Sequence, residues 1–142
     1  MAKGLDTTFL IEAEVAGHPG HRAARALLAR LLEEGPLALA PQVLSEFVHV
    51  VTDPRRFERP LSVTQALARA ELWWRAREIA HVFPSEESTA LFLRWMAEHR
   101  LGRKRLLDTQ LAATYYASGV RCIVTTNARD YGVFGCFAVV RP

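Results

Sequence analysis

Three observations predict an α/β fold for this chain, a three-layer α/β/α sandwich about a mainly parallel central sheet. Short apolar runs of strand length alternate with longer amphipathic stretches of helical period along the whole sequence. The strand candidates are separated by helices, which implies right-handed parallel crossovers. Asp6, Glu46, Asp108 and Asp130 each fall at the end of a strand candidate or on the helix that follows it, where an open α/β sheet gathers its ligands.

The elements follow in order. Residues 2–5 are a short strand ending at Asp6, and residues 7–14 begin a helix with Phe9, Leu10 and Ala13 on one face, broken at Gly17-His18-Pro19-Gly20. A strongly amphipathic helix spans 21–34, with Ala24, Leu27, Leu28, Leu31 and Leu32 at helical spacing and Gly35-Pro36 as its stop. Residues 37–40 form a buried strand. Pro41 suits the first position of a helix whose apolar face is Val43, Leu44, Phe47, Val48 and Val51, leaving Ser45, Glu46 and His49 off that face. The charged stretch 53–60 reads as a loop.

Ser62-Val63-Thr64-Gln65 is a capping box opening a helix through Ala70, Trp73 and Trp74. Residues 80–83 supply the third strand; Pro84 and the N-cap Ser85 then open a helix carrying Ala90, Leu91, Trp95 and Met96. After a basic connection over 100–105, residues 106–117 are helical with Asp108 in the first turn, and Ser118-Gly119 ends that helix. Residues 121–125 and 137–140 are the fourth and fifth strands. The chain contains no internal repeat, low-complexity tract or linker.

A length of 142 residues suits one domain over 1–142 with a substantial core, and 50% hydrophobic with 23% charged residues is the balance of a compact folded protein. Apolar stretches are interrupted by Arg or Glu well before the roughly 20 residues a membrane helix needs, and the first residues lack the apolar core of a signal peptide, so a cytoplasmic protein is expected. Cys122 and Cys136 read as buried free thiols rather than a disulfide or zinc framework. The net charge of +3 combines a basic exterior with acids gathered in a cleft, which permits a nucleic-acid substrate. Carboxylates clustered at one end of a sheet are most simply neutralised by oxygen-preferring divalent cations, Mg²⁺ or Mn²⁺, and this points to phosphate chemistry.

Four fragments in order carry a family resemblance: Leu5-Asp6-Thr7, Ser45-Glu46-Phe47, Leu107-Asp108-Thr109-Gln110-Leu111-Ala112, and Thr125-Thr126-Asn127-Ala128-Arg129-Asp130-Tyr131. In these the chain resembles PIN-domain proteins, in particular VapC-type toxins, over essentially its whole length. The resemblance implies a metal-dependent endoribonuclease, the toxin of a toxin–antitoxin pair, whose partners are RNA, a small VapB-type antitoxin and a second copy of the chain. It makes Asp6, Glu46 and Asp108 the main metal-site carboxylates. For the fourth position the resemblance leaves both Asn127 and Asp130 open, Asp130 being the more able ligand on charge grounds and Asn127 better suited to position a water or phosphate.

On that basis Asp6 and Asp108 are expected to anchor the principal ion, Glu46 to bind it directly or through water, and Asp130 to position a second ion or the attacking water. Thr7 holds a phosphate or carboxylate, or else caps its helix. Asp108 taken singly has the helix dipole as its competing reading, and Asp130 is equally explained by a turn. The run Arg103, Lys104 and Arg105 beside Arg100 is placed to hold an RNA backbone, with a solvated loop as the competing reading; Arg55, Arg56 and Arg59 have the same two readings. Tyr115 and Tyr131 are core aromatics before they are base-stacking platforms, and Trp73, Trp74 and Trp95 are core or interface anchors. His18, His21 and His49 lack the partners a histidine metal site needs, although His49 is one turn from Glu46.

Other phosphate-handling α/β folds fit less well. A haloacid-dehalogenase-like hydrolase needs a second acid two residues after Asp6, where Thr8 stands; a receiver domain needs an acidic pair there and a late lysine; a dinucleotide fold needs a Gly-x-Gly-x-x-Gly that is missing. The non-enzymatic alternative is a catalytically silent PIN-like RNA-binding or scaffolding module.

Overall fold

Every strand candidate becomes a three-residue strand: β1 Lys3–Leu5, β2 Leu37–Leu39, β3 Ile79–His81, β4 Cys122–Val124 and β5 Ala138–Val140, in a computed structural model that describes residues 1–142. They form one sheet in the order β3-β2-β1-β4-β5, and all four pairings are parallel. The chain winds from β1 outward through β2 to β3, then crosses to the other side of β1 for β4 and β5. Strand order therefore reverses between β1 and β4, which opens a crevice beyond their C-terminal ends.

The helices are α1 Thr7–Glu14, α2 His21–Glu34, α3 Pro41–Val51, α4 Val63–Arg75, α5 Glu86–Glu98, α6 Leu106–Ala117 and α7 Ala128–Gly132. Helix α1 packs on α2 and α3, and α3 on α4; separately, α5 packs on α6 and α6 on α7. These are the two groups that right-handed crossovers place on opposite faces of the sheet, which makes three layers. Leu5, Leu37, Leu39, Ile123 and Val124 from the strands join Phe9, Leu31 and Phe47 from the helices in one buried cluster. Each such side chain contributes about 1.5–3 kcal/mol on burial.

One close approach fixes the central strand. A Cβ at Gly4 would lie 2.9 Å from the Tyr115 ring, so only glycine lets the ring of this α6 residue lie against β1. The Tyr115 hydroxyl then donates to the Leu5 carbonyl at 2.5 Å and reaches the Ala38 carbonyl at 3.3 Å, which makes Tyr115 a core residue that ties β1 to β2.

The capping boxes form at both helices that begin with serine, Ser62 with Gln65 and Ser85 with Ser88. Four local expectations need correction. The third strand starts at Ile79 rather than residue 80, because Ile79 pairs with Leu37; pairing ends where Val82 donates to the Leu39 carbonyl, and Phe83 packs edge-on against Trp74 instead. Leu32 and Ala90 are exposed, each about 100° of helical rotation from the buried Leu31 and Leu91. The segment after β4 contains the helix α7, whose five residues are too few to show a period. Cys122 and Cys136 are free thiols but only half-buried. No helix is long and apolar enough to cross a membrane.

Candidate active site

Asp6 ends β1 at the strand-order reversal and is also the N-cap of α1. Its side chain is 3% exposed. It accepts from the Thr7 backbone N–H at 2.8 Å, the Thr8 hydroxyl at 3.0 Å and the Thr125 hydroxyl at 2.6 Å. The last of these comes from the end of the neighbouring β4, so the two strands that flank the crevice are stitched by the carboxylate itself. Thr125 is held in turn: the Asn127 backbone N–H donates to its hydroxyl at 2.9 Å. The Thr126 N–H donates to the Thr8 hydroxyl at 3.3 Å.

Thr7 is buried, and its hydroxyl donates to Glu46 Oε2 at 3.2 Å. Its role is therefore to tether a carboxylate; the cap is Asp6. Glu46 reaches that hydroxyl because Pro41 starts α3 directly after β2 and because Val43, Phe47 and Val50 take the buried face, leaving Glu46 on the side towards α1. Asp108 lies in the first turn of α6, and Asp130 on α7 is half-buried.

The charges of these acids are not balanced. Burial, opposed by the donors from Thr125, Thr8 and Thr7 and by the nearby Tyr131 hydroxyl, still holds Asp6 above the ordinary carboxylate range. Burial and the Asp6 charge raise Glu46. Asp108 is pushed from 3.8 to about 7 by burial and then by the charges of Asp6, Asp130 and Glu46. These mutual effects bring the four acids into one electrostatic unit. Nearby cations offset them only in part: Arg105 lowers Asp108, while Arg56 and His49 lower Glu46. His49 itself is exposed.

Tyr131 adds a feature that sequence reading assigned to the core or to base stacking. It is fully buried, and burial together with the charges of Asp6 and Asp108 raises its phenol well above the usual value. Its hydroxyl lies near Asp6 but outside hydrogen-bond geometry, and so has no partner. Thr8, Thr125 and Tyr131 thus belong to the site, although the motif that contains Thr125 and Tyr131 gave neither of them a role at Asp6 and nothing in the sequence gave one to Thr8. The Thr125–Asp6 hydrogen bond alone spans 119 positions of sequence.

The basic run divides. Arg103 and Lys104 are exposed in a 3-10 turn, Arg103–Arg105, whereas Arg105 turns inward. Its Nη2 donates to the Asp130 carbonyl, and its Nε lies 4.0 Å from Asp130 Oδ1. Asn127 is exposed and makes no capping bond with its side chain. His18 lies in the turn after α1 and His21 opens α2: Gly20 N–H donates to His18 Nδ1 at 3.0 Å, and His21 Nδ1 meets the Glu12 carbonyl at 2.8 Å. An apolar hollow of about 180 Å³ beside Leu32, Leu72 and Trp73 lies at the other end of the sheet, where Leu37 and Ile79 begin their strands, and holds none of the four acids.

No three His, Cys, Asp or Glu side chains stand close enough to hold one ion directly. The donor set still has the chemistry of a hard-cation site: it is all oxygen, and three of its acids carry raised pKa values that a divalent cation would reverse. Mg²⁺ suits such a set because it keeps several waters and needs only one or two carboxylates.

Comparison with known proteins places this geometry. The chain is 29% identical over 140 residues to ribonuclease VapC24 of Mycobacterium tuberculosis H37Rv, across 97% of this chain and 94% of that protein. It is 28% identical over 139 residues to ribonuclease VapC31 of the same strain, across 97% and 96%. Among solved structures it superposes on Mycobacterium tuberculosis VapC20, a sarcin-ricin loop cleaving toxin, with a TM-score of 0.78 at 19% identity over 99% of this chain and 100% of that one. The VapBC2 complex of Rickettsia felis, bound to a promoter DNA fragment, gives a TM-score of 0.73 at 15% identity over 100% and 99%. The PIN domain model matches residues 4–132, from the strand that carries Asp6 to the end of the helix that carries Asp130. Fold, acidic crevice and sequence therefore agree: the chain belongs to the PIN domain family.

Proposed function

We propose that this protein is a metal-dependent endoribonuclease that hydrolyses RNA phosphodiester bonds as the toxin of a type II toxin–antitoxin pair. Residues 1–142 would act as one catalytic unit in the cytoplasm, as a homodimer restrained by a VapB-type antitoxin. The observation that carries this reading is the acid unit at the strand-order reversal: Asp6, Glu46 and Asp108 are held together with raised pKa values and without a matching set of cations. A scaffold has no use for such a cost.

Asp6 and Asp108 would hold Mg²⁺ or Mn²⁺, with Glu46 reaching the ion through water, since no three acids stand close enough to bind one ion directly, and Asp130 at the margin. When bound, the ion neutralises the phosphoryl oxygens and makes water a competent nucleophile near neutral pH. The protein's own groups set the geometry. Thr8 and Thr125 fix the Asp6 carboxylate through Oδ2, and Thr7 fixes Glu46 through Oε2. Arg105 holds Asp130 by its backbone carbonyl, which ties α7 to the start of α6. Asn127 orients water or phosphate, and Arg103 and Lys104 hold the RNA backbone.

Purified protein should cleave single-stranded RNA with Mg²⁺ or Mn²⁺ and stop when EDTA is added. Asp6→Asn should lower the rate by on the order of 10²–10³, as removal of one electrostatic element of an active site commonly does, while its circular dichroism stays that of the wild type. Cleavage by Asp6→Asn at the wild-type rate, unaffected by EDTA, would remove this site from the reaction.

A further inference from the structure

Arg56, in the loop after α3, stands at the rim of the acid unit. It borders an open hollow of about 360 Å³ together with Thr8 and Thr126. Both threonines belong to the set that holds Asp6: the Thr8 hydroxyl donates to Asp6 Oδ2 at 3.0 Å, and the Thr126 N–H donates to that hydroxyl at 3.3 Å. The positive charge of Arg56 is felt at Glu46, but it is not among the chief influences on Asp6 or Asp108. Its guanidinium therefore lies one step outward from the two acids that would anchor the ion.

Arg56 is also loosely held. Its side chain is 64% exposed, and its one ion pair runs from Nε to Asp53 Oδ2 at 3.8 Å. Asp53 is already served by Arg55, whose backbone N–H and Nε reach Oδ1 at 2.9 and 3.3 Å. No other arginine or lysine borders the hollow. His18 accepts the Gly20 N–H at Nδ1, the arrangement of a neutral ring. The one acid there, Glu12, is turned towards that same glycine, with its Oε1 in the place a Cβ on Gly20 would take. The end of the hollow nearest Asp6 is thus served by an arginine alone.

An RNA strand that reaches this crevice meets four carboxylates. A divalent ion answers that repulsion at the scissile phosphate, whereas a neighbouring phosphate needs a cation of the protein's own. The planar fork of a guanidinium matches two phosphate oxygens at once. We infer that Arg56 binds the non-bridging oxygens of the phosphate next to the scissile one, in the hollow beside Thr8 and Thr126. This rests on the ribonuclease reading given above. It also divides a run that the sequence leaves undivided: Arg55 is a solvated side chain bordering no hollow, and Arg59 borders a separate, larger one that neither threonine reaches. Arg56 comes from the layer of α1 and α3, and Arg103 and Lys104 from that of α5 and α6, so the strand is held from both sides of the acids.

The test uses a series of single-stranded RNA oligonucleotides in which one phosphate at a time is replaced by an uncharged methylphosphonate. Binding is read by anisotropy with metal-free protein, and cleavage with Mg²⁺ or Mn²⁺. Wild-type protein should lose affinity on the order of tenfold at one linkage, and that linkage should adjoin the cut. Arg56→Gln should lose about as much with the unmodified strand and nothing further at that linkage, because the two changes remove the same contact. It should also lower the slope of log affinity against log salt by about 0.7. Arg55→Gln, the same change of charge one residue away, should keep the wild-type pattern. Circular dichroism establishes that each variant is folded. Linkage-dependent binding that Arg56→Gln abolishes, without cleavage by the wild type, would sink the ribonuclease reading and leave Arg56 as a phosphate contact. No linkage effect in the wild type, one that persists in Arg56→Gln, or equal losses in Arg55→Gln and Arg56→Gln overturns the assignment.

Discussion

Two buried tyrosines, equally inaccessible to solvent, mark two ways of treating a polar group in this molecule. Under β1 and β2, Tyr115 gives its hydroxyl to the Leu5 and Ala38 carbonyls, and Gly4 is shaped to accept its ring. At the crevice, Tyr131 faces Asp6 with no hydrogen-bond partner, in the field of acids whose own pKa values are raised. The first region is complete as the chain alone makes it. The second is left short of donors and of positive charge, which is the condition of a site that a cation and a substrate finish. Folding free energy is thus concentrated in the first region and withheld from the second.

Phenylalanine substitutions test the contrast most directly. Tyr115→Phe should cost about 1–3 kcal/mol, because it withdraws a buried donor from two strand carbonyls. Tyr131→Phe removes a hydroxyl that has no partner, so its stability in metal-free protein should match or slightly exceed the wild type. Urea denaturation of both variants measures this. Equal losses would mean that the Tyr131 hydroxyl is paired in solution and the two regions are built alike.

The second test uses pH. Asp108 has a folded-state pKa of about 7 against an ordinary value of 3.8, so the folded protein binds more protons than the unfolded chain between these values. The contribution of Asp108 to the stability of metal-free protein is then fullest below about pH 4 and is lost as pH rises through 7; the raised Asp6 and Glu46 act in the same direction. Asp108→Asn should remove much of this slope. It should also stabilise the metal-free protein at pH 8 by about 1–3 kcal/mol, a range reduced from the full shift because Asp108 is partly solvated. Added Mg²⁺ should recover stability in the wild type and little in the variant. Thermal melts at pH 5 and 8 decide it, and a wild-type melting temperature that rises over this interval contradicts the charge imbalance.

The same contrast explains what could be read from the sequence. Strands β1, β2 and β4 are apolar runs of the right length, and Pro41 with the spacing of Val43, Phe47 and Val51 places Glu46 off the packing face of α3. Asp6 was legible because a strand ended there. Local periodicity carries no such signal for Thr125, Tyr131 or the inward turn of Arg105, because each is set by a partner far along the chain: Thr125 by Asp6, Arg105 by Asp130. Charge totals also mislead here, because Arg105 counts towards a basic loop in sequence and towards an acidic crevice in the fold.

The smallest expected effect separates Asp130 from Asn127 at the edge of the crevice. Asp130 adds to the negative field, as its effect on Asp108 shows, yet it lies 4.0 Å from the Arg105 Nε, and its carbonyl is already taken by the same guanidinium. Asp130→Asn therefore removes one attraction for a cation, but it also eases ionisation of Asp108, which partly compensates. The Mg²⁺ or Mn²⁺ concentration for half-maximal cleavage should rise only roughly threefold to tenfold, the scale of one partly screened charge. Asn127→Ala removes no charge from an exposed position, so its midpoint should stay and its rate at saturating metal should fall. Metal titrations of both variants make the comparison. An unmoved midpoint for Asp130→Asn would reduce Asp130 to an anchor for Arg105 and leave the ion to Asp6, Glu46 and Asp108.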